Sequence, residues 1–374
     1  MIRIVHVISD LDTGGAEVTL FRLVAGMDRL RFENIVISLL DRGSLGGCIE
    51  AVGIPVRCLE MRRGSADLSA VFKMVRLLRD VKPAVVQSWL YHSDLLSLVS
   101  TGLAGRPPMV WNVRCSDMDL RFYSRQTRWV LRALAWHSHR PAAVVVNSLA
   151  GKQLHEKIGY RPRRWEIIPN GFDLDRFSPN LVARSRIRHE LGLPSDTVLV
   201  ALIARLDPMK DHATFVDAAT RVIKLRPNTH FLLVGKGVEQ LAKQAVVRKL
   251  SNRVHLFGER QDVDQVLPAV DIACLSSVSE GFPNILGEAM AAEVPCVSTD
   301  VGDVRFLFGS TGRIVPVRDP EAMAIAIVKL IDCGPQVRAE LGRAARARIE
   351  AEFSLPRMIE RYQVLYSDLC GLSH

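Results

Sequence analysis

Four side chains carry the chemistry that this sequence advertises: the carboxylates Glu280 and Glu288, eight positions apart, and the cations Arg205 and Lys210. Asp271-Ile272-Ala273-Cys274-Leu275 reads as a buried strand ending at Ser276-Ser277. Pro283 is expected at the first helical position, where its fixed φ fits and its missing N–H costs nothing. Ile285, Leu286, Ala289 and Met290 recur at helical spacing and predict an inward face. Glu288 then lies about 60° from Ile285, at the edge of that apolar stripe. Glu280 falls in the strand-to-helix loop, where open α/β sheets bind ligands. The N–H groups of the following first turn favour an anion at the same place. A loop Glu and a helix-flank Glu without chemistry would give the same spacing, and the residues alone leave both readings open.

Three further segments have phosphate-binding character. Gly14-Gly15-Ala16-Glu17 follows the first expected strand and opens a helix, so backbone can approach a ligand closely there. It is neither a full dinucleotide fingerprint nor a P-loop. Ala204-Arg205-Leu206-Asp207-Pro208-Met209-Lys210-Asp211-His212 ends a strand with two cations. Gly235-Lys236-Gly237 and Gly258-Glu259-Arg260 end the next two.

The elements that position these residues alternate short apolar strands with amphipathic helices. Strands are expected near 2–8, 34–40, 54–59, 84–87, 108–113 and 142–147, and again near 197–203, 229–234, 253–257, 270–275, 295–298 and 313–316. Helices near 16–28, 66–80, 92–104, 122–138 and 148–158 separate the first set. That alternation predicts α/β architecture with two Rossmann-like parallel-sheet domains facing across a cleft. The expected bodies are 1–172 and 173–355, joined where Pro169-Asn170-Gly171 breaks the pattern.

The totals narrow the class. At 374 residues the chain has room for two ordinary domains, and 24% charged residues is a globular balance. The seven scattered cysteines include no Cys-x-x-Cys pair, which argues against a disulfide framework or zinc site. No apolar run reaches the roughly 18 residues of a membrane span, and residues 1–9 read as a strand, so a cytoplasmic protein is expected. The net charge of +9 is lopsided: residues 1–175 carry 24 Lys and Arg against 17 Asp and Glu, the remainder 25 against 23. A basic first half suits anionic lipid or an acidic acceptor. Without a recognition motif, nucleic acid is not an expected partner.

The context Ser-x-x-Glu280-Gly281-Phe282-Pro283, followed by Glu288-Ala289-Met290-Ala291 and Val294-Pro295-Cys296-Val297, resembles the retaining nucleotide-sugar glycosyltransferases of family four, which have the GT-B fold. The resemblance covers nearly the whole chain and implies a first, acceptor-side domain to which a last helix, in 356–374, returns. It implies transfer of a sugar from a nucleoside diphosphate sugar to a hydroxyl of a glycan or lipid-linked acceptor, with retention. Arg205 and Lys210 then hold the diphosphate, and Gly14 and Gly15 reach toward it. Gly235, Gly258 and Glu259 border the nucleotide. Glu280 orients the donor sugar, Glu288 takes the ribose diol, and Gly281, Phe282, Asn284 and Ile285 complete the donor loop. The departing phosphate oxygen accepts the acceptor proton, so no protein base is needed.

One departure concerns Arg114, which stands where many relatives carry a His that touches the donor sugar; an Arg binds there but takes no proton. His92 is the substitute at a helix start. Four Asp-x-Asp triplets, at 10/12, 117/119, 173/175 and 262/264, read as incidental, so no cofactor and no metal is expected. A glycosidase pair is disfavoured because Glu288 lies several ångströms into its helix. A non-hydrolysing nucleotide-sugar epimerase of the same fold and a non-catalytic sugar-binding protein are the alternatives. Finally, Arg121, Arg125, Arg128 and Arg132 repeat at spacings of four, three and four, with Phe122, Trp129, Val130 and Ala133 beside or opposite them. That face is a candidate contact with an anionic membrane, on its inner side.

Overall fold

The computed structural model describes residues 1–12, 14–62, 68–114, 124–194, 196–250 and 252–372. It divides into two compact units, Met1–Gly171 with Leu355–His374, and Phe172–Ser354. The crossings lie one residue before those expected. They run side by side, since the Phe172 N–H donates to the Phe353 carbonyl at 2.8 Å.

Among the described residues the first unit holds seven parallel strands: β1 Ile2–Ile8, β2 Phe32–Ser38, β3 Val56–Cys58, β4 Val85–Trp89, β5 Met109–Val113, β6 Ala143–Val146 and β7 Trp165–Ile167. Their order is β3-β2-β1-β4-β5-β6-β7, so the winding direction reverses between β1 and β4. Pleating sends alternate β1 residues to opposite faces. Ile4 and Ile8 join Leu20, Leu23 and Val24 of helix Gly15–Gly26 and Tyr362 of the returning helix Leu355–Leu369. Val5 and Val7 meet Ala70, Met74 and Leu78 of helix Leu68–Val81.

The second unit repeats the scheme with β8 Val198–Ile203, β9 Thr229–Val234, β10 Val254–Phe257, β11 Ile272–Leu275, β12 Cys296–Thr299 and β13 Arg313–Val315. All pair in parallel, in the order β10-β9-β8-β11-β12-β13. Leu199 and Ala201 of β8 pack on the side of helix Asn284–Ala291, whereas Val200 and Leu202 pack with Phe215 and Val222 of helix His212–Leu225. The reversal here falls between β8 and β11, which places the C-terminal ends of those strands at a switch point.

Two elements depart from the sequence expectation. Strand β7 is a three-residue edge strand of half-buried residues, too short to show alternation. Helix Gly43–Ala51 carries three glycines, which depress helix propensity, and is recovered by packing Ile49 into the core. The returning helix Leu355–Leu369 begins one residue before the expected span 356–374 and ends within it.

That helix is locked by buried polar contacts. Tyr366 donates its phenol to Gln87 Oε1 at 2.6 Å, and Asn112 donates to Tyr362 Oη at 2.7 Å. Nearby, Trp89 Nε1 donates to His6 Nδ1 at 3.4 Å, so the imidazole proton sits on Nε2, 3.0 Å from Asn34 Oδ1. Loss of hydration pushes the pKa of His6, and of buried His155, down to about 4. An unfolded chain titrates these groups near 6.5 and therefore binds more protons than the folded chain between the two values. Stability contributed by the neutral rings is complete above about 6.5 and is lost as pH falls toward 4. Thermal melts across that window are expected to show a falling midpoint in the parent and a shallower fall in His6→Gln. A parent midpoint that holds constant through the window contradicts the assignment.

Candidate functional site

The sequence-predicted residues of the second unit gather at the C-terminal edge of its sheet, around the switch point. After β8 the chain turns through Pro208–Lys210, capped by Asp207, whose Oδ1 accepts the Met209 N–H at 2.9 Å. That hydrogen bond, reinforced by Arg205 and Lys210, holds the Asp207 carboxyl below its usual range. Asp211 then adopts left-handed backbone, φ 44°, and caps helix His212–Leu225 through Thr214. His212, buried behind the turn and pushed toward the neutral form by desolvation, donates from Nε2 to the Ala204 carbonyl at 3.3 Å.

Across the switch point, the segment after β11 is tied to this turn. Val278 N–H donates to Met209 O at 2.9 Å, and Ser276 Oγ to Lys210 O at 2.8 Å. Lys210 Nζ meets Glu280 Oε1 at 2.5 Å, and Ser277 Oγ donates to the same oxygen at 2.6 Å. Lys210 and Glu280 keep 22% and 13% of their side-chain surface, so the pair is partly desolvated but reachable. An ammonium has three N–H donors and Glu280 takes one, which leaves capacity for an anion. Arg205 is 68% exposed and pairs with Asp207 at 3.1 Å. The cluster is thus two cations and a polarised carboxylate beside the N-terminus of helix Asn284–Ala291, a place where negative charge is favoured.

The strand ends beside it are built for close approach. Gly235, at φ 144°, would place a Cβ 2.3 Å from the Ala204 carbonyl oxygen. Its N–H donates to Phe257 O and Gly258 O, joining the turn after β9 to that after β10, and the Leu206 N–H donates to Lys236 O at 2.8 Å, joining it to the turn after β8. Glu259 is exposed at the same edge. Gly302, at φ 51°, lies under the glutamate loop: a Cβ there would stand 2.4 Å from both the Glu280 and the Gly281 carbonyl oxygens.

Several expectations change. Pro283 is the N-cap, φ −80° and ψ 86°, and the helix begins at Asn284 instead. Phe282 is 7% exposed and stacks on Phe172 at 6.1 Å. It anchors the loop to the core rather than offering its ring to a ligand, and half-buried Ile285 packs against the same core. Glu288 is half-buried and Asn284 exposed. Gly14, Gly15, His92 and Arg114 belong to the first unit. His92 is exposed at the second residue of helix Tyr91–Leu103, with partial desolvation lowering its pKa. Arg114 is engaged internally: it donates to Thr19 Oγ1 at 3.2 Å and to Asn170 Oδ1, and lies over the Trp89 ring.

Sequence reasoning missed Ser277 and Gly302 as supports of Glu280. The first had a signal, the Ser-x-x-Glu spacing; the second had none, because Gly302 is 22 residues further along the chain. Of the Asp-x-Asp triplets, 173/175 and 262/264 serve turns and ion pairs with Arg176 and Arg260, 10/12 includes a local backbone contact, and 117/119 lies outside the described residues. Among the described residues no group of three or more His, Cys, Asp or Glu is placed to hold a metal ion.

Comparison with known proteins decides the family. Residues 13–176 match the family described as Glycosyltransferase Family 4, and 197–333 match Glycosyl transferases group 1. Anabaena Alr3699/HepE in complex with UDP superposes with a TM-score of 0.84 at 23% identity, covering 98% of this chain and all of that one. The chain is a GT-B glycosyltransferase. Among curated proteins it is 23% identical to the Escherichia coli UDP-Gal:alpha-D-GlcNAc-diphosphoundecaprenol alpha-1,3-galactosyltransferase, across 95% of this chain and 96% of that one. It is 31% identical to a Corynebacterium glutamicum GDP-mannose-dependent monoacylated alpha-(1-6)-phosphatidylinositol monomannoside mannosyltransferase, across 53% and 54%.

In this glycosyltransferase the floor under Glu280 has no room for a methyl group. Gly302→Ala combines an unfavourable positive φ with two carbonyl contacts and is expected to cost about 1–3 kcal/mol. Denaturant unfolding measures the loss; a midpoint equal to the parent's removes the support role.

Proposed function

We propose that the enzyme transfers a sugar from a nucleoside diphosphate sugar to a hydroxyl of a lipid-linked or glycan acceptor, retaining the anomeric configuration. The observation that carries this reading is the contact of Lys210 with Glu280 at 2.5 Å, beside exposed Arg205, at the switch point of the second sheet. Breaking a glycosyl–phosphate bond concentrates negative charge on the leaving diphosphate, and cations fixed in place bind that charge best in the transition state. Arg205 and Lys210 take this role. Glu280 holds the donor sugar through its hydroxyls, kept in orientation by Lys210 and Ser277. Glu288 accepts from the ribose diol. The leaving phosphate oxygen collects the acceptor proton as the acceptor attacks from the same face.

The donor class is supported by the relatives' names, which specify UDP-galactose and GDP-mannose, and by the Alr3699/HepE structures, which hold UDP and UDP-glucose. The acceptors in the two curated names are both lipid-linked, which favours that class here. Thermal stabilisation by UDP-, GDP- and dTDP-sugars identifies the base, because a ligand of the folded state raises the melting temperature by mass action. Donor turnover that requires an acceptor separates transfer from epimerisation.

Lys210→Ala and Arg205→Ala are each expected to lower kcat by about a hundredfold to a thousandfold, with a smaller loss in affinity for the free nucleoside diphosphate. The double variant should lose less than the product, since both cations serve one diphosphate. Folded alanine variants that turn over donor at the parent rate overturn the assignment. Glu280→Gln is expected to remove most transfer while nucleotide affinity changes little, as measured by calorimetry beside steady-state kinetics. Transfer is also expected to persist in excess EDTA; activity that disappears with chelator and returns with Mg²⁺ or Mn²⁺ assigns a metal instead.

A further inference from the structure

On helix Arg125–His137 the arginine face expected from sequence is broken: Val130 turns into the core, and Arg121 and Phe122 lie outside the described residues. Guanidinium groups converge more closely in the second unit, away from the glutamate loop. An open cleft of about 300 Å³ lies there, with Arg184, Asp271, Glu293 and Arg338 in its lining. The rest of the lining is mostly apolar and includes Val270, Val294, Pro335 and Ala339. Val270 and Asp271 immediately precede β11, and Val294 and Pro295 precede β12. The cleft therefore opens at the N-terminal edge of the sheet whose C-terminal edge carries Lys210 and Glu280.

The two arginines are held rigidly, and one has an open edge. Arg338 is 9% exposed, and its Nη1 donates to the Leu330 and Ile331 carbonyls at 3.0 and 2.9 Å, in the last turn of helix Pro320–Asp332. Capping that helix end accounts for one nitrogen only. The Nε–Nη2 edge makes no hydrogen bond or ion pair within the protein, and neither nitrogen is sealed from solvent. Its parallel N–H groups are the fork that matches the two oxygens of a carboxylate. Arg184 is fixed by the carbonyls of Pro268 and Ala269, at 3.2 and 3.3 Å, and by Asp271 Oδ1 at 2.6 Å. Asp271 is fully occupied, since its Oδ2 accepts from Arg188 Nη1 at 3.1 Å and from the Leu199 N–H at 2.8 Å. With Arg188 counted behind Asp271, three guanidinium groups stand against two carboxylates, a surplus of one positive charge. Helices Leu181–Glu190 and Gly334–Glu352 also begin at the cleft, and their positive ends add to that field.

We propose that this cleft binds a small monocarboxylate with an apolar body, separately from the donor site. The surplus matches a single negative charge, and the open fork of Arg338 matches one planar carboxylate. A phosphate monoester brings nearly two charges, and Glu293 opposes the second. The valine and proline walls take the apolar body, and the volume, at the low end for ligand sites, sets its size. A neutral compound of the same shape leaves the fork unanswered. The proposal does not rest on the donor chemistry.

Titration of methyl-labelled protein with benzoate, benzamide and phenyl phosphate tests it. The methyl signals of Val270, Val294 and Ala339 report the cleft and keep it apart from binding elsewhere. Benzoate is expected to shift them with half-saturation on the order of 1 mM, and benzamide and phenyl phosphate to require about ten times more. Arg338→Lys should weaken benzoate binding about tenfold to a hundredfold, because the fork is lost. Ala339→Glu places an acid in the cleft at an exposed position; it should also weaken binding, and it serves as the test if Arg338→Lys does not fold. Glu293→Gln removes a like charge and should tighten binding. Cleft signals that do not move with benzoate, benzamide or phenyl phosphate binding as tightly as benzoate, or Ala339→Glu and Glu293→Gln variants that both bind like the parent overturn the proposal.

Discussion

The site depends on one ion pair that spans a topological gap. In a parallel sheet whose winding reverses between β8 and β11, the connections after those two strands lead to opposite faces and leave a crevice at their ends. Lys210 arrives from one side and Glu280 from the other, and their contact closes the floor of that crevice. Two backbone-directed hydrogen bonds, from Ser276 and Val278, fix the turn that carries Lys210, so the pair is held by the fold rather than by chance side-chain positions. A partly buried pair of this kind adds little net stability, because desolvation offsets the attraction, but each charge becomes costly if the other is removed. The arrangement therefore favours an incoming anion that can share the ammonium.

Much of this was legible in the residues because parallel α/β sheets have strong local signatures. Apolar runs such as Val198–Ile203 and Ile272–Leu275 are buried on both faces and read as strands whatever surrounds them. Lys210 and Glu280 were legible for the same reason: each sits a few residues beyond such a run. Their direct contact was not, since it depends on which strands are neighbours, and strand order is a tertiary property. Gly302 was invisible for a related reason. Its constraint comes from carbonyl groups 21 and 22 positions earlier, and nothing adjacent to it in sequence marks the need. Pro283 was misread by one position because its ring suits both the cap and the first helical residue. The edge strand Trp165–Ile167 and the glycine-rich helix Gly43–Ala51 owe their form to the neighbours they pack on, and a local reading underestimates such elements.

Arg114 illustrates how a residue at a meaningful position can be committed elsewhere. It closes β5, next to the reversal point of the first sheet, yet its guanidinium donates to Thr19 and Asn170 and covers the Trp89 ring. Glu17, buried and with its pKa raised by desolvation, also feels that charge. The cation thus ties the opening helix to the segment just before the first crossing. A histidine would lack both the length and the fork of donors for those contacts.

The returning helix has a consequence for how the molecule is made. Tyr362 and Tyr366 are fully buried in the first unit, but they are encoded after every residue of the second. Residues 172–354 form an uninterrupted stretch, so during synthesis the second unit has all its parts before the first does. The first unit meanwhile waits with the slot for two tyrosines open and with Gln87 and Asn112 unanswered. Exposed apolar surface of that sort is what chaperones bind. The half of the chain that emerges first from the ribosome is thus the half that matures last.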